Sequence, residues 1–83
     1  MRLWLVERSF DTRNTVTITY ASRDGEHAYR MQATVDRLRR TPATAAVDRD
    51  SETVDGVADA DRRERYATEA RRMAADHDPD DEV

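Results

Sequence analysis

The segment Val35-Asp36-Arg37-Leu38-Arg39-Arg40 sets three arginines within four residues. Guanidinium groups are planar, permanently charged and two-pronged, which suits them to phosphate. Residues 1–40 hold eight arginines against five acids, a balance of +3, whereas residues 41–83 carry −7. Trp4, Phe10, Tyr20 and Tyr29 all lie in the basic half. Arginines beside exposed rings are the usual platform for single-stranded nucleic acid. A nucleic-acid surface here would use Arg30, Arg37, Arg39 and Arg40. The competing reading is a solvated arginine edge paired with the chain's own acids. It is preferred, because the rings are needed for the only sizeable core.

Three other constellations point to chemistry and fall short of it. The acids of "DRDSETVDG" recur at Asp48, Asp50 and Glu52, with Asp55 following. Oxygen ligands at alternate positions suggest a calcium loop. Its sixth position is Thr53 rather than glycine, and its twelfth is Asp59 rather than glutamate, so a solvated linker is the better reading. His77 with Asp76, Asp78, Asp80 and Asp81 offers hard ligands for a divalent ion, but on a segment with no rigid element to hold them. His27 stands near Ser22, Asp24 and Glu26, yet neighbours along one strand do not converge as a triad must. With two glycines in the chain, no phosphate-cradling loop is present. The expectation is a non-catalytic protein with no cofactor and no metal.

The elements that would position these residues begin with strands. "TVTITYA" alternates Val16, Ile18 and Tyr20 against three threonines and Ala21, a period-two pattern rich in β-branched residues. Residues 2–10 also alternate, with Trp4, Val6, Arg8 and Phe10 on one side and Leu3, Leu5, Glu7 and Ser9 on the other. Asp24-Gly25 is a preferred pair for a two-residue type I′ hairpin. That turn sets Arg23 against Glu26, Tyr20 against Tyr29, Ile18 against Met31 and Val16 against Ala33. Residues 26–33 therefore read as a third strand. A loop at 11–13 or at 11–15 keeps Trp4, Val6 and Phe10 with Val16, Ile18 and Tyr20.

Residues 34–47 remain open between helix, strand and loop, with Thr41-Pro42 resembling an N-cap followed by proline in the first turn. Residues 48–60 read as an acidic linker. Residues 61–76 form the best helix, within a segment 61–77, with Asp61 as N-cap and Glu64 completing a capping box. Tyr66, Ala70, Met73 and His77 recur at helical spacing, flanked by Ala67 and Ala74. The tail 78–83 is acidic and is expected to be disordered.

The fold expected is α+β: a three-stranded antiparallel meander within 1–47, with the C-terminal helix packed on one face. Such a sheet covers one face only, which leaves Leu3 and Leu5 projecting from the other. Two covers are open. Within the chain, residues 34–47 offer Val35, Leu38 and Val47. Between chains, a second copy would bury the patch. The dimer is favoured slightly, because apolar residues make up 37% of the sequence and charged residues 39%. The interface residues would be Leu3, Leu5, Val35 and Leu38.

Composition bounds the class. Eighty-three residues make one domain. Without cysteine, disulfides and thiolate metal sites are excluded. No apolar run reaches the length of a membrane span, and the N-terminus is too short and charged for a signal peptide, so the cytoplasm is the expected place. All fourteen basic residues are arginine, and aspartate outnumbers glutamate twelve to six. Short carboxylates keep a surface hydrated when salt is high. In this composition, and in its short β region followed by "RYATEARRMAADHDPDDEV", the chain resembles small acidic proteins of halophilic archaea. The resemblance implies no activity and carries over no functional residue. The function expected is that of a small interaction module or homodimer subunit, with a nucleic-acid-binding accessory protein as the alternative.

Overall fold

The three expected strands form β1 (Arg2–Phe10), β2 (Thr15–Ala21) and β3 (His27–Thr34) in a computed structural model that describes residues 1–11 and 13–83. Two short strands extend the meander on either side. β4 (Ala46–Asp48) pairs with Arg2, Leu3 and Trp4, and β5 (Asp55–Gly56) pairs with His27 and Ala28. The result is a five-stranded antiparallel sheet in the order β4-β1-β2-β3-β5. Helix α1 (Val35–Arg40) follows β3 directly, and helix α2 (Ala60–Asp76) packs on β1 and β2.

The β2–β3 register is the expected one: Val16 lies opposite Ala33, Ile18 opposite Met31 and Tyr20 opposite Tyr29. The turn that sets it differs. Among the described non-glycine residues only Asn14 has a positive φ, so Asp24 does not adopt the type I′ geometry. Instead the Gly25 N–H donates to the Ser22 carbonyl at 2.9 Å, and Gly25 alone takes the left-handed conformation, at φ 72°. A four-residue loop thus reaches the same pairing. The Asp24 carboxylate holds it by accepting from the Ser22 hydroxyl and from the Glu26 N–H.

The β1–β2 ladder keeps the register of the 11–15 loop from Phe10 to Glu7 and departs from the sequence reading beyond it. Phe10 lies opposite Val16, Arg8 opposite Ile18 and Glu7 opposite Thr19. A bulge at Val6 then shifts the register, so Leu5 lies opposite Tyr20 and Trp4 opposite Ala21. One extra residue inverts the facing of everything beyond it. Leu3 and Leu5 therefore join Val16, Ile18 and Tyr20 in one buried cluster. Trp4 turns to the other face and packs with Ala45, Ala46 and Ala70.

Both faces of the sheet are covered from within the chain. On one, Val35, Leu38, Ala43, Val47 and Val83 pack on the Leu3–Leu5–Ile18 cluster. On the other, α2 brings Tyr66 against Ala21 and Ala28. Its buried residues are Tyr66, Ala67 and Ala70, with Met73 and Ala74 half-buried, as the helical spacing predicts. The N-cap is Asp59 rather than Asp61, and its side chain makes no capping bond. Thr41-Pro42 ends α1 rather than starting a helix. Thr34 is its N-cap, with Oγ1 accepting from the Arg37 N–H at 3.1 Å, and Thr41 is its C-cap. Proline just past a helix end is the other position its missing donor favours.

The tail and linker are tied down as well. Ala45 N–H donates to the Asp81 carbonyl at 2.8 Å, Ala46 N–H to Pro79 at 3.1 Å and Val83 N–H to Ala43 at 2.9 Å. Residues 79–83 thus strap onto 43–46 where disorder was expected. Their backbone finds partners that an acidic composition does not reveal. The 48–60 segment holds a 3-10 turn, Ser51–Thr53, as well as β5.

Candidate functional site

Helix α1 is six residues long and has no buried residue, so packing on the sheet edge has to hold it. Val35 and Leu38, three apart, point to the sheet, while Arg37, Arg39 and Arg40 stay exposed. Between α1 and the end of β1 lies an apolar groove of about 210 Å³, lined by Phe10, Val16, Val35, Leu38, Pro42, Ala43 and Val83, with Arg8 and Arg39 among its walls. Phe10 closes β1 and is 69% exposed. An exposed phenylalanine on an apolar groove is the kind of surface that marks an interaction site. Arg8 reaches across to the Val83 carbonyl oxygen at 2.9 Å. Asp36 and Arg39 sit 3.9 Å apart, both largely exposed, a pair that water screens.

The edge beside the groove is open. β4 covers only Arg2, Leu3 and Trp4 of β1, and no described strand pairs with the outer side of residues 6–10. Unpaired edge backbone is a template for another chain.

The other rings are occupied. Arg23 lies 5.6 Å from the Trp4 ring centroid, Arg49 4.8 Å from Tyr29 and Arg65 5.5 Å from Tyr66, distances at which a cation is drawn to the ring face. Tyr20 is buried and donates to the Thr44 carbonyl at 3.3 Å. Burial pushes its phenol pKa up.

A family model matches residues 1–83. The chain belongs to a family of unknown function, DUF7967. No curated protein and no solved structure matches it.

For the DUF7967 chain, the residues singled out from sequence separate into two groups. Val35, Leu38, Arg37, Arg39 and Arg40 come together on α1, at or beside the groove. Leu3, 0% exposed, and Leu5, 8%, lie beneath that surface and project from no free face. The bulge is the reason, since it carries them to the face that residues 35–47 cover. Arg30 lies elsewhere, in a cleft beside α2. Phe10 was missed as a surface residue, because strict alternation placed it in the core. Its position at the strand's end, before "DTRN", was the available signal.

The acids considered for metal sit apart. Asp48 is engaged by Arg2, at 3.0 Å and 3.3 Å to its two oxygens, and that hydrogen-bonded guanidinium holds its carboxyl below the usual range. His77 Nδ1 lies 3.7 Å from Asp81. Among the described residues no three histidine or acidic side chains are grouped to hold a metal ion. No helix among them is long and apolar enough to cross a membrane.

Proposed function

We propose that this protein is a non-catalytic interaction module whose working surface is the Phe10–α1 groove, and that the surface takes a second copy of the chain. The carrying observation is the exposure of Phe10, at 69%, on the wall of an apolar groove. A two-fold axis requires a surface complementary to itself. Here a projecting ring and an apolar groove lie side by side, so each copy's Phe10 can cover the other's groove. The rim carries both signs, in Arg8, Arg39 and Asp36, and the open end of β1 adjoins it. A stable interface buries about 800 Å² per partner. The exposed arginines and Asp36 of α1 would form its polar rim.

The test is solution mass by light scattering. The intact chain is expected at twice the monomer mass, and Phe10→Asp at the monomer mass with an unchanged far-UV spectrum. A monomeric intact chain sinks the dimer.

A second reading has one observation behind it. Phe10 is an exposed ring on the same groove as Arg8 and Arg39, near Arg37 and Arg40, so the arginine edge has one stacking surface after all. Binding of a single-stranded oligonucleotide that falls steeply with salt and is lost in Arg37→Gln/Arg39→Gln/Arg40→Gln would favour it.

A further inference from the structure

The bulge at Val6 does more to β1 than turn its leucines inward. Along an antiparallel strand, successive residues direct their N–H and C=O groups alternately to the two neighbours. Before the bulge the odd residues face β4: the Leu5 N–H donates to the Ala45 carbonyl at 2.9 Å, and Leu3 lies opposite Val47. After it the odd residues face β2, since the Asp11 N–H donates to the Thr15 carbonyl at 3.0 Å. Ser9 and Glu7, further back along the strand, therefore face their partners Thr17 and Thr19. Arg8 and Phe10 direct their N–H and C=O groups to the outer edge, where β4 does not extend.

A strand covered on one face alternates between buried and exposed residues. Glu7, Arg8, Ser9 and Phe10 are exposed without a break, so this half of β1 stands clear of the body. Its free backbone is a template for a further strand. The side chains decide which strand. A two-fold axis normal to the sheet pairs β1 antiparallel with its own copy. With the axis at Arg8, arginine faces arginine, a destabilising like-charge pair. With the axis at Phe10, only the strand ends meet. With the axis at Ser9, each Arg8 faces the partner's Phe10, and a guanidinium can lie on a ring, as Arg23, Arg49 and Arg65 do within the chain. Glu7 then comes opposite the partner's Asp11. Both carboxylates are already engaged, Glu7 by Arg65 at 3.5 Å and Asp11 by the N–H groups of Arg13 and Thr15. Arg8 and Phe10 both line the α1 groove, so this register lays each ring beside the other copy's groove.

We propose that two copies join edge to edge along β1, with the axis at Ser9, so that one sheet runs through the dimer. This rests on the dimer proposed above and says how it is built. The Arg8 N–H of each copy donates to the partner's Phe10 carbonyl, and each Phe10 N–H donates to the partner's Arg8 carbonyl.

The test mixes carbon-13-labelled and unlabelled full chain and reads contacts between copies by isotope-filtered NMR. Facing residues of a non-hydrogen-bonded antiparallel pair bring their α-carbons closest, so a contact between the Ser9 α-protons of the two copies is expected. Light scattering on two variants gives an independent reading. Arg8→Ala removes the side chain and keeps the N–H. Arg8→Pro also removes the outward donor, at an edge position where proline is tolerated. The dimer dissociation constant is expected to be at least about tenfold higher for Arg8→Pro than for Arg8→Ala, with an unchanged far-UV spectrum. Should Arg8→Pro fail to fold, the Ser9 contact in the intact chain decides alone. A dimer that lacks the Ser9 contact overturns the edge pairing and leaves the groove dimer standing, as does equal association of two folded Arg8 variants. A monomeric intact chain overturns both.

Discussion

Gly25 and Asp24 show how much one turn carries. Gly25 has a φ of +72°, and a Cβ built there would lie 2.0 Å from the Arg63 carbonyl oxygen. Both the backbone conformation and the contact with α2 exclude a side chain. Gly25→Ala is expected to cost about 3 kcal/mol or more, read by urea unfolding, since strain and overlap add. Beside it, the Ser22 hydroxyl first, and the Glu26 N–H second, hold the Asp24 carboxyl below its usual pKa. The unfolded value is about 3.9. The turn's contribution is therefore complete above that value and is lost as pH falls through the lower, folded one. Asp24 is exposed, so solvent screening keeps the effect below about 1 kcal/mol. Asp24→Asn keeps an acceptor oxygen but not the titration. It is expected to flatten the acid limb of stability against pH, and an unchanged limb would assign that limb to other carboxyls.

Among elements, β1 matters most, because its bulge decides which leucines are inside. A strictly alternating strand would leave Leu3 and Leu5 bare and make them interface residues. The bulged strand buries both and frees Phe10. Leu5→Asp and Phe10→Asp separate the two descriptions. Leu5→Asp places a charge at an 8% exposed position and is expected to lose more than about 3 kcal/mol, enough to abolish the folded far-UV spectrum in a small domain. Phe10→Asp is expected to leave that spectrum intact. A folded, monomeric Leu5→Asp would restore the leucines to the surface.

At the scale of the whole molecule, both sheet faces are covered by the chain itself, so a dimer is not required to complete the core. The proposed dimer rests instead on a surface groove, an exposed ring and an open edge. Association of that kind is expected to persist or tighten in molar sulfate, which strengthens apolar burial. Nucleic-acid binding by the α1 arginines would weaken over the same salt range. Mass measured in low and molar salt distinguishes them, and a dimer that dissociates as salt rises would count against an apolar interface.

What the sequence determined by itself was local. The β-branched alternation of Thr15–Ala21 specifies a strand, and Asp24-Gly25 marks the centre of the turn and so the β2–β3 register, although a four-residue loop makes that turn in place of type I′. The Tyr66–Ala70 stripe specifies the buried side of α2. In each case nearby residues carry the physical constraint. The tertiary structure decided what depends on distant partners. The Val6 bulge pays off only because both faces of β1 find covers, one from residues 35–47 and one from α2. β4, β5 and the 79–83 strap are too short to declare themselves, since their stability comes from backbone bonds to segments far along the chain. Of the groove's lining, Val35, Leu38 and Arg39 were singled out from sequence. Phe10 was not, because whether a ring at a strand's end is buried depends on how the rest of the chain closes over it.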